Sequence, residues 1–310
     1  MRTDYPPTGA LDAFHHAAMN MVAHLPRDEA RAVLLIAYPP SGMPIGDGRP
    51  GDKALEILEA AALDAGIMVR EALLVAEGRW WSLRCQDETC CPSVGTPLTP
   101  LIDSRIAAEV VVRGGPMPFS NEAELVASIA HRDSLVAQCL AQSVEVRARE
   151  LLNGDSTHDA AQLRSGQRGQ LDRLFDLWCT SNGRTQLLTR EPHMLADVVI
   201  ALQGVLVRDY ALGMHTRTTL ESALGLWRWL LTLVPEGTVA PVACLAAATA
   251  YESGDGALAQ RALDRALADS PDYSLALLLR RVFLAGFPPE TFAQMRAELH
   301  DGISAELRAS

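Results

Sequence analysis

The feature that most constrains this chain is a change of apolar period between Ala32 and Leu83. Ala32 to Tyr38, AVLLIAY, is a continuous apolar run of strand length, the pattern of a strand covered by helices on both faces. After a Pro/Gly-rich loop, Lys53 to Ala65 carries Leu55, Leu58, Ala62 and Leu63 at helical spacing, and Gly66 ends it. Met68 to Ala76 is then a second strand. A strand, helix and strand in this order close as a parallel pair with a right-handed crossover. Glu77-Gly78 follows as a two-residue hairpin turn, although Glu is a poorer partner for Gly there than Asn or Asp. That turn sets a register in which Leu74 faces Trp81, Val75 faces Trp80 and Glu71 faces Arg84. Side chains alternate across a sheet, so Ala72, Leu74, Trp81, Leu83 and Cys85 share one face. Trp81 is the expected core tryptophan. Trp80, beside Ser82 and the expected Glu71/Arg84 pair, is on a mixed face that is either helix-covered or the wall of a pocket.

The rest of the chain reads as helix. Leu11, Phe14, Ala18, Met21 and Val22 make Ala10 to His24 amphipathic, and its His15, His16 and His24 lack the HExxH arrangement of a zinc-binding helix. Further helices are expected over Ile102 to Arg113, Asn121 to Ala130, where Asn121 and Glu124 form a capping box, and Asp133 to Asn153. A polar, Gly-containing run from Asn153 to His158 marks the domain boundary. Residues 1–153 are thus expected as an α/β domain, and 158–310 as a helical domain. In the latter, helices are expected over Ala160–Thr180, Pro192–Met214, Thr218–Val234, Ala240–Ser253, Gly256–Asp269, Pro271–Ala285 and Pro289–His300. Ala247, Ala259, Leu263, Ala266 and Pro271 fall at the small, small, large, small and Pro positions of a tetratricopeptide repeat. One such pair, 240–271, is fewer than the three a solenoid needs. Arg208 and Asp209 interrupt an apolar run, as a structural ion pair or cap would. The expected fold class is therefore an α/β half, a small mainly parallel sheet with a hairpin strand and helices packed on it, followed by an all-α half with one tetratricopeptide-like hairpin.

Charge narrows the function classes. A formal net charge of −11 opposes nonspecific nucleic-acid binding, which needs clustered Lys and Arg against phosphate. No apolar run approaches a membrane span, and the start, MRTDYPPTGALDAF, lacks a signal-peptide core, so the cytoplasm is the expected compartment. Six cysteines in 310 residues are too few for a disulfide scaffold, and Cys139, Cys179 and Cys244 sit singly in apolar helical patterns.

Two stretches could carry chemistry. Gly46, Gly48 and Gly51 spell GxGxxG, but seven residues separate Tyr38 from the first of them and Pro50 removes an amide. A dinucleotide fingerprint needs its first glycine at the strand end, so a Pro/Gly loop, or a lid, is the better reading. Open α/β sheets bind ligands at their strand ends. A pocket there would draw on Tyr38, Gly46, Gly48, Gly51, Trp80 and Arg84. The second stretch, GRWWSLRCQDETCCPSVGTPL from Gly78 to Leu98, holds Cys85, Cys90 and Cys91 as C-x4-C-C, with CCPSVGTPL read as the bend from sheet to helices. Three readings stay open for the thiols: packed side chains, ligands of a metal such as zinc, or a redox or nucleophilic group. Zinc normally takes four ligands and only three thiols are local; there is no CxxC for redox work. No cofactor is otherwise expected.

The block GRWW-S-x-x-C-x4-CCP-x-x-G-x-PL resembles the signature of an uncharacterised actinobacterial family, domain of unknown function 4192. Asp4 and Pro6, the Val207-Arg208-Asp209 triplet, the Tyr251-x-x-Gly254 pair and Tyr273-Ser274-Leu275-Ala276 extend the resemblance along most of the chain. It implies an α/β half plus a helical half and carries over no activity, cofactor or catalytic residue. Longer members imply a preceding strand-containing segment, so the sheet here is expected to lack an edge, or the start to be misplaced. With no complete catalytic set, the first functional expectation is a non-catalytic cytoplasmic interaction or regulatory protein, using the helical half for a protein partner or a second copy. The alternatives are an enzyme or small-ligand binder with a pocket near Trp80, and a metal-stabilised module built on the cysteines.

Overall fold

The computed structural model describes residues 5–7, 9–23, 25, 31–40, 52–102, 104–112, 119, 121–153, 160–189 and 191–309. They fall into two compact units: residues 1–118 with 284–286, and residues 119–283 with 287–310. The first unit contains α1 (Leu11–Ala23), β1 (Ala32–Ala37), α2 (Lys53–Asp64), β2 (Met68–Ala76), β3 (Arg79–Ser82), β4 (Thr96–Pro97), α3 (Thr99–Ile102) and α4 (Arg105–Val112).

The strands form one mixed sheet in the order β1-β2-β3-β4, with β1 parallel to β2 and the other two pairs antiparallel. The hairpin has the expected register, Leu74 opposite Trp81 and Val75 opposite Trp80. Its turn has positive φ at both Glu77 (49°) and Gly78 (72°), which matches the right-handed twist of the flanking strands. Asp52 starts α2 by accepting a hydrogen bond from the Leu55 amide at 2.9 Å, and its other oxygen accepts from the Tyr5 hydroxyl at 2.7 Å. Burial beside that carboxylate pushes the Tyr5 phenol above its ordinary pKa.

One sheet face packs against helices. Ala18 and Val22 of α1 and Ala61 and Ala62 of α2 meet Ile67 and Val69, and further along Leu55 meets Ala37, Leu74 and Trp81. The other face departs from the expected two-sided cover. Leu34, Ile36 and Tyr38 are 56%, 43% and 65% exposed, because β1 alternates inward and outward side chains as a strand covered on one side does. The segment after the cysteines also differs from the expected bend into helices: it returns to the sheet first, as β4 beside β3.

The second unit contains α5 (Glu122–Ile129), α6 (Leu135–Asn153), α7 (Ala160–Trp178), α8 (Gly183–Thr189), α9 (Pro192–Ala201), α10 (Val205–Gly213), α11 (Leu220–Leu231), α12 (Val239–Glu252), α13 (Gly256–Asp269), α14 (Ser274–Leu284) and α15 (Pro289–Ala309). Its axis is α12, buried at every position from Val239 to Ala250. Eight of its fourteen residues are alanine or valine, and such small side chains let the neighbouring helices α11 and α13 approach closely. The Asp269 carboxylate at the end of α13 accepts from the amides of Gly237, Val239 and Ala240 at 2.6, 3.1 and 3.1 Å, which caps α12 from its neighbour. Helices α5 and α6 belong to this unit, α5 packing on α11 and α13 and α6 on α9. No helix among the described residues is long and apolar enough to cross a membrane.

Candidate functional site

Residues 83–95 form a loop whose two feet are hydrogen-bonded strands. At the first foot the Ser82 hydroxyl donates to Glu71 Oε1 at 2.8 Å and accepts from the amides of Arg84 and Cys85 at 3.2 and 2.8 Å. This hydroxyl turn ends β3 and redirects the chain. Arg84 therefore does not continue the strand to meet Glu71 as the register implies. It pairs with Glu59 on α2 instead, while Glu71 also accepts from the Ala72 amide at 2.9 Å. At the second foot the Trp81 indole N–H donates to the Ser93 carbonyl at 3.0 Å, and Arg79 Nη1 donates to the Gly95 carbonyl at 2.8 Å. Gly95 lies against the Trp81 ring at φ 80°; a Cβ there would stand 2.5 Å from Cε2. The tryptophan and the glycine fourteen residues on are thus one packing unit, a role the sequence reading did not assign to Gly95.

Between the feet, the Asp87 carbonyl accepts from the amides of Cys90 and Cys91 at 3.2 and 2.7 Å. Asp87 Oδ1 accepts from Thr89 N, and Glu88 Oε2 from Ser93 N, both at 2.8 Å. This tight turn brings the Cys85, Cys90 and Cys91 sulphurs within 4.8 Å of one another. Cys91 Sγ lies 3.8 Å from Cys90 Sγ. Cys85 is half-buried, Cys90 exposed and Cys91 buried, and none of the six cysteines is in a disulfide.

The environment separates the thiols. The Asp87 backbone N–H, and after it the Cys91 thiol, donate to Cys85 and lower its pKa. Cys91 moves the other way, pushed up to about 12 by burial and by donation to Cys85. The trio thus holds one thiol that favours the anion beside two donors, a set that could hold a metal ion.

Among the described residues, the remaining sequence candidates have other surroundings. Gly46, Gly48 and Gly51 lie outside the described residues. Tyr38 stands exposed beyond β1, Trp80 is half-buried on the open sheet face opposite Val75, and Arg84 is occupied by Glu59. Two clefts, of about 140 and 480 Å³, lie in the helical unit, lined at Trp178–Thr185 and between Gln142 and Asp197; neither includes Tyr38, Trp80 or Arg84.

The helical unit buries polar groups that the patterns did not single out. Arg296 donates from Nε and Nη2 to Glu252 at 2.9 and 3.1 Å, and from Nη1 to the Gly213 carbonyl at the end of α10 at 2.9 Å. His215 Nε2 lies 3.2 Å from the same carboxylate. Burial holds His215 below its ordinary pKa, and the His215 and Arg296 hydrogen bonds keep Glu252 below its own against burial. Arg208 pairs with Asp209 at 2.6 Å and donates to the Tyr273 hydroxyl at 3.3 Å, the structural pair expected of it.

Fold and site together define an α/β unit with a thiol-bearing loop, followed by a helical unit. The chain belongs to the family described as Domain of unknown function (DUF4192), which matches residues 1–290. No curated protein and no solved structure matches it.

Proposed function

We propose that the chain is a metal-stabilised module in which Cys85, Cys90 and Cys91 are thiolate ligands of zinc. The observation that carries this reading is the convergence of the three sulphurs within 4.8 Å. Bonds of about 2.3 Å to a tetrahedral zinc set thiolate sulphurs roughly 3.8 Å apart, and the Cys90–Cys91 separation is 3.8 Å. A bound ion would favour the thiolate form of all three and tie the first foot of the loop to its tip. Thiolates suit zinc over magnesium or calcium, which prefer oxygen. Among the described residues the cluster holds these three thiols, so a fourth ligand would come from solvent at the exposed Cys90. A reducing cytoplasm, which keeps the thiols available, is the compartment this reading requires.

Elemental analysis of full-length protein purified without an affinity tag tests the proposal. One zinc per chain is expected in the parent, and none in a Cys90→Ser/Cys91→Ser variant. A parent without stoichiometric metal ends it.

A second reading, a non-catalytic interaction protein, draws on the open sheet face of Leu34, Ile36 and Tyr38 and on Leu278 and Met295 of the helical half, 56% and 47% exposed. The tetratricopeptide-like pair α12–α13 would then scaffold a partner surface for a protein or a second copy. Co-purification of a defined partner, lost on Leu278→Lys/Met295→Lys, is the expected result. A partner retained undiminished by that variant counts against use of the helical half.

A further inference from the structure

We propose that Cys90 and Cys85 form a thiol–disulfide exchange pair for a small-molecule disulfide of the glutathione class, with Cys91 left as a thiol. The order of reaction follows from exposure. Cys90 is the exposed member of the trio, Cys85 is half-buried and Cys91 is buried, so an incoming disulfide meets Cys90 first.

The choice of second thiol follows from the backbone. A bond from Cys90 to Cys91 would close an eight-membered ring through a single peptide unit, which strains that peptide away from its planar trans form. Cys85 is five positions from Cys90, and the turn around Asp87 already folds it back, with Cys90 N and Cys91 N on the Asp87 carbonyl and Cys85 N on the Ser82 hydroxyl. Since the sulphurs lie within 4.8 Å, side-chain rotation brings them to the roughly 2 Å of a disulfide without unfolding the loop.

The chemistry balances without a further oxidant. The Cys90 sulphur, having given its proton to solvent, attacks one sulphur of RSSR. The Cys90–S bond forms as the RS–SR bond breaks, and the departing sulphur keeps the electron pair and takes up a proton as RSH. Cys85 then attacks the Cys90 sulphur of the mixed disulfide, and the second RSH leaves in the same way. Two protein thiols are oxidised to one disulfide, and one small-molecule disulfide is reduced to two thiols. The inference stands apart from the zinc reading, because the same sulphurs cannot be paired and bind the ion at once.

The test uses full-length, chelator-treated protein carrying Cys139→Ser and Cys179→Ser, which removes the exposed solitary thiols. With oxidised glutathione, two of the four remaining thiols are expected to disappear, with no glutathione retained and a Cys85–Cys90 link in the peptide map. Adding Cys91→Ser should still give the Cys85–Cys90 link with no glutathione retained, at whatever rate, and adding Cys85→Ser should stall the reaction as a glutathione adduct on Cys90. A lasting adduct on Cys90 with Cys85 present, a Cys90–Cys91 link, or survival of all four thiols overturns the pair. One equivalent of zinc added beforehand should slow the exchange roughly tenfold or more by occupying the sulphurs. Undiminished exchange in that arm counts against the zinc reading while leaving the pair standing.

Discussion

In the first unit one sheet face is packed and the other leaves Leu34, Ile36 and Tyr38 in the open, whereas in the second α12 is buried from Val239 to Ala250. The difference extends to how polar groups are used. The helical unit encloses enough apolar surface to hold a charged cluster, Glu252 with Arg296 and His215, away from solvent. The sheet unit instead relies on short-range ties, the Ser82 hydroxyl turn and the Trp81–Ser93 hydrogen bond, to order its loop. Deep burial makes a polar partnership costly to break, while a shallow core makes individual turn residues matter.

The largest expected effect tests the buried side of this comparison. Glu252→Gln removes the carboxylate that Arg296 and His215 share and should destabilise the helical unit by about 3–5 kcal/mol in denaturant unfolding. A loss under about 1 kcal/mol would mean that Arg296 and His215 find water instead. Next comes Gly95→Ala in the loop. The left-handed backbone disfavours a Cβ and the Trp81 ring occupies its place, for an expected cost of about 2–4 kcal/mol. Retained Trp81 burial at unchanged stability would show that the ring gives way freely.

A graded effect follows from pH. The folded pKa of His215 lies below its ordinary 6.5, and that of His300 is also lowered, burial being the first cause for both. The unfolded chain therefore binds more protons in the region below that value. Stability from these groups is fully present above about pH 6.5 and is lost as pH falls through it. Glu252, lowered from 4.5, adds a further loss in more acid solution. Hydrogen exchange at neutral and mildly acid pH should show protection falling in the helical unit, and His215→Asn should flatten the slope. A pH-independent profile would contradict neutral burial. The smallest effect is a gain: Glu77 is the one non-glycine with positive φ among the described residues. Glu77→Asn should stabilise the hairpin by roughly 0.5–1 kcal/mol in thermal unfolding, and a loss would mean the turn reads another feature of Glu77.

Much of the sheet unit was legible because its signals are local. Period-two alternation and the Glu77-Gly78 turn together specify the hairpin register, and Asn121 caps α5 through the Glu124 amide as the spacing suggests. Legibility failed where one side chain redirects the backbone. The Ser82 hydroxyl ends β3 early, so Arg84 finds Glu59 rather than Glu71. The apolar run from Pro192 to Met214 reads as one helix, but it breaks at residues 202–204 into α9 and α10, with Gly204 starting the second. Apolar content alone does not mark such a break.

By itself, then, the sequence determined the order of β1, α2, β2 and β3, the hairpin register, the capping of α5, and membership of the family through its tryptophan–cysteine block. Each depends on backbone preferences or spacings within a few residues. Only the tertiary structure decided that one face of the sheet stays open, that Gly95 seats Trp81, that the three thiols meet, and that Glu252 holds a buried arginine and histidine. Those outcomes depend on which side chains meet across turns and between elements, and the energy of such contacts comes from packing and desolvation that spacing along the chain does not encode.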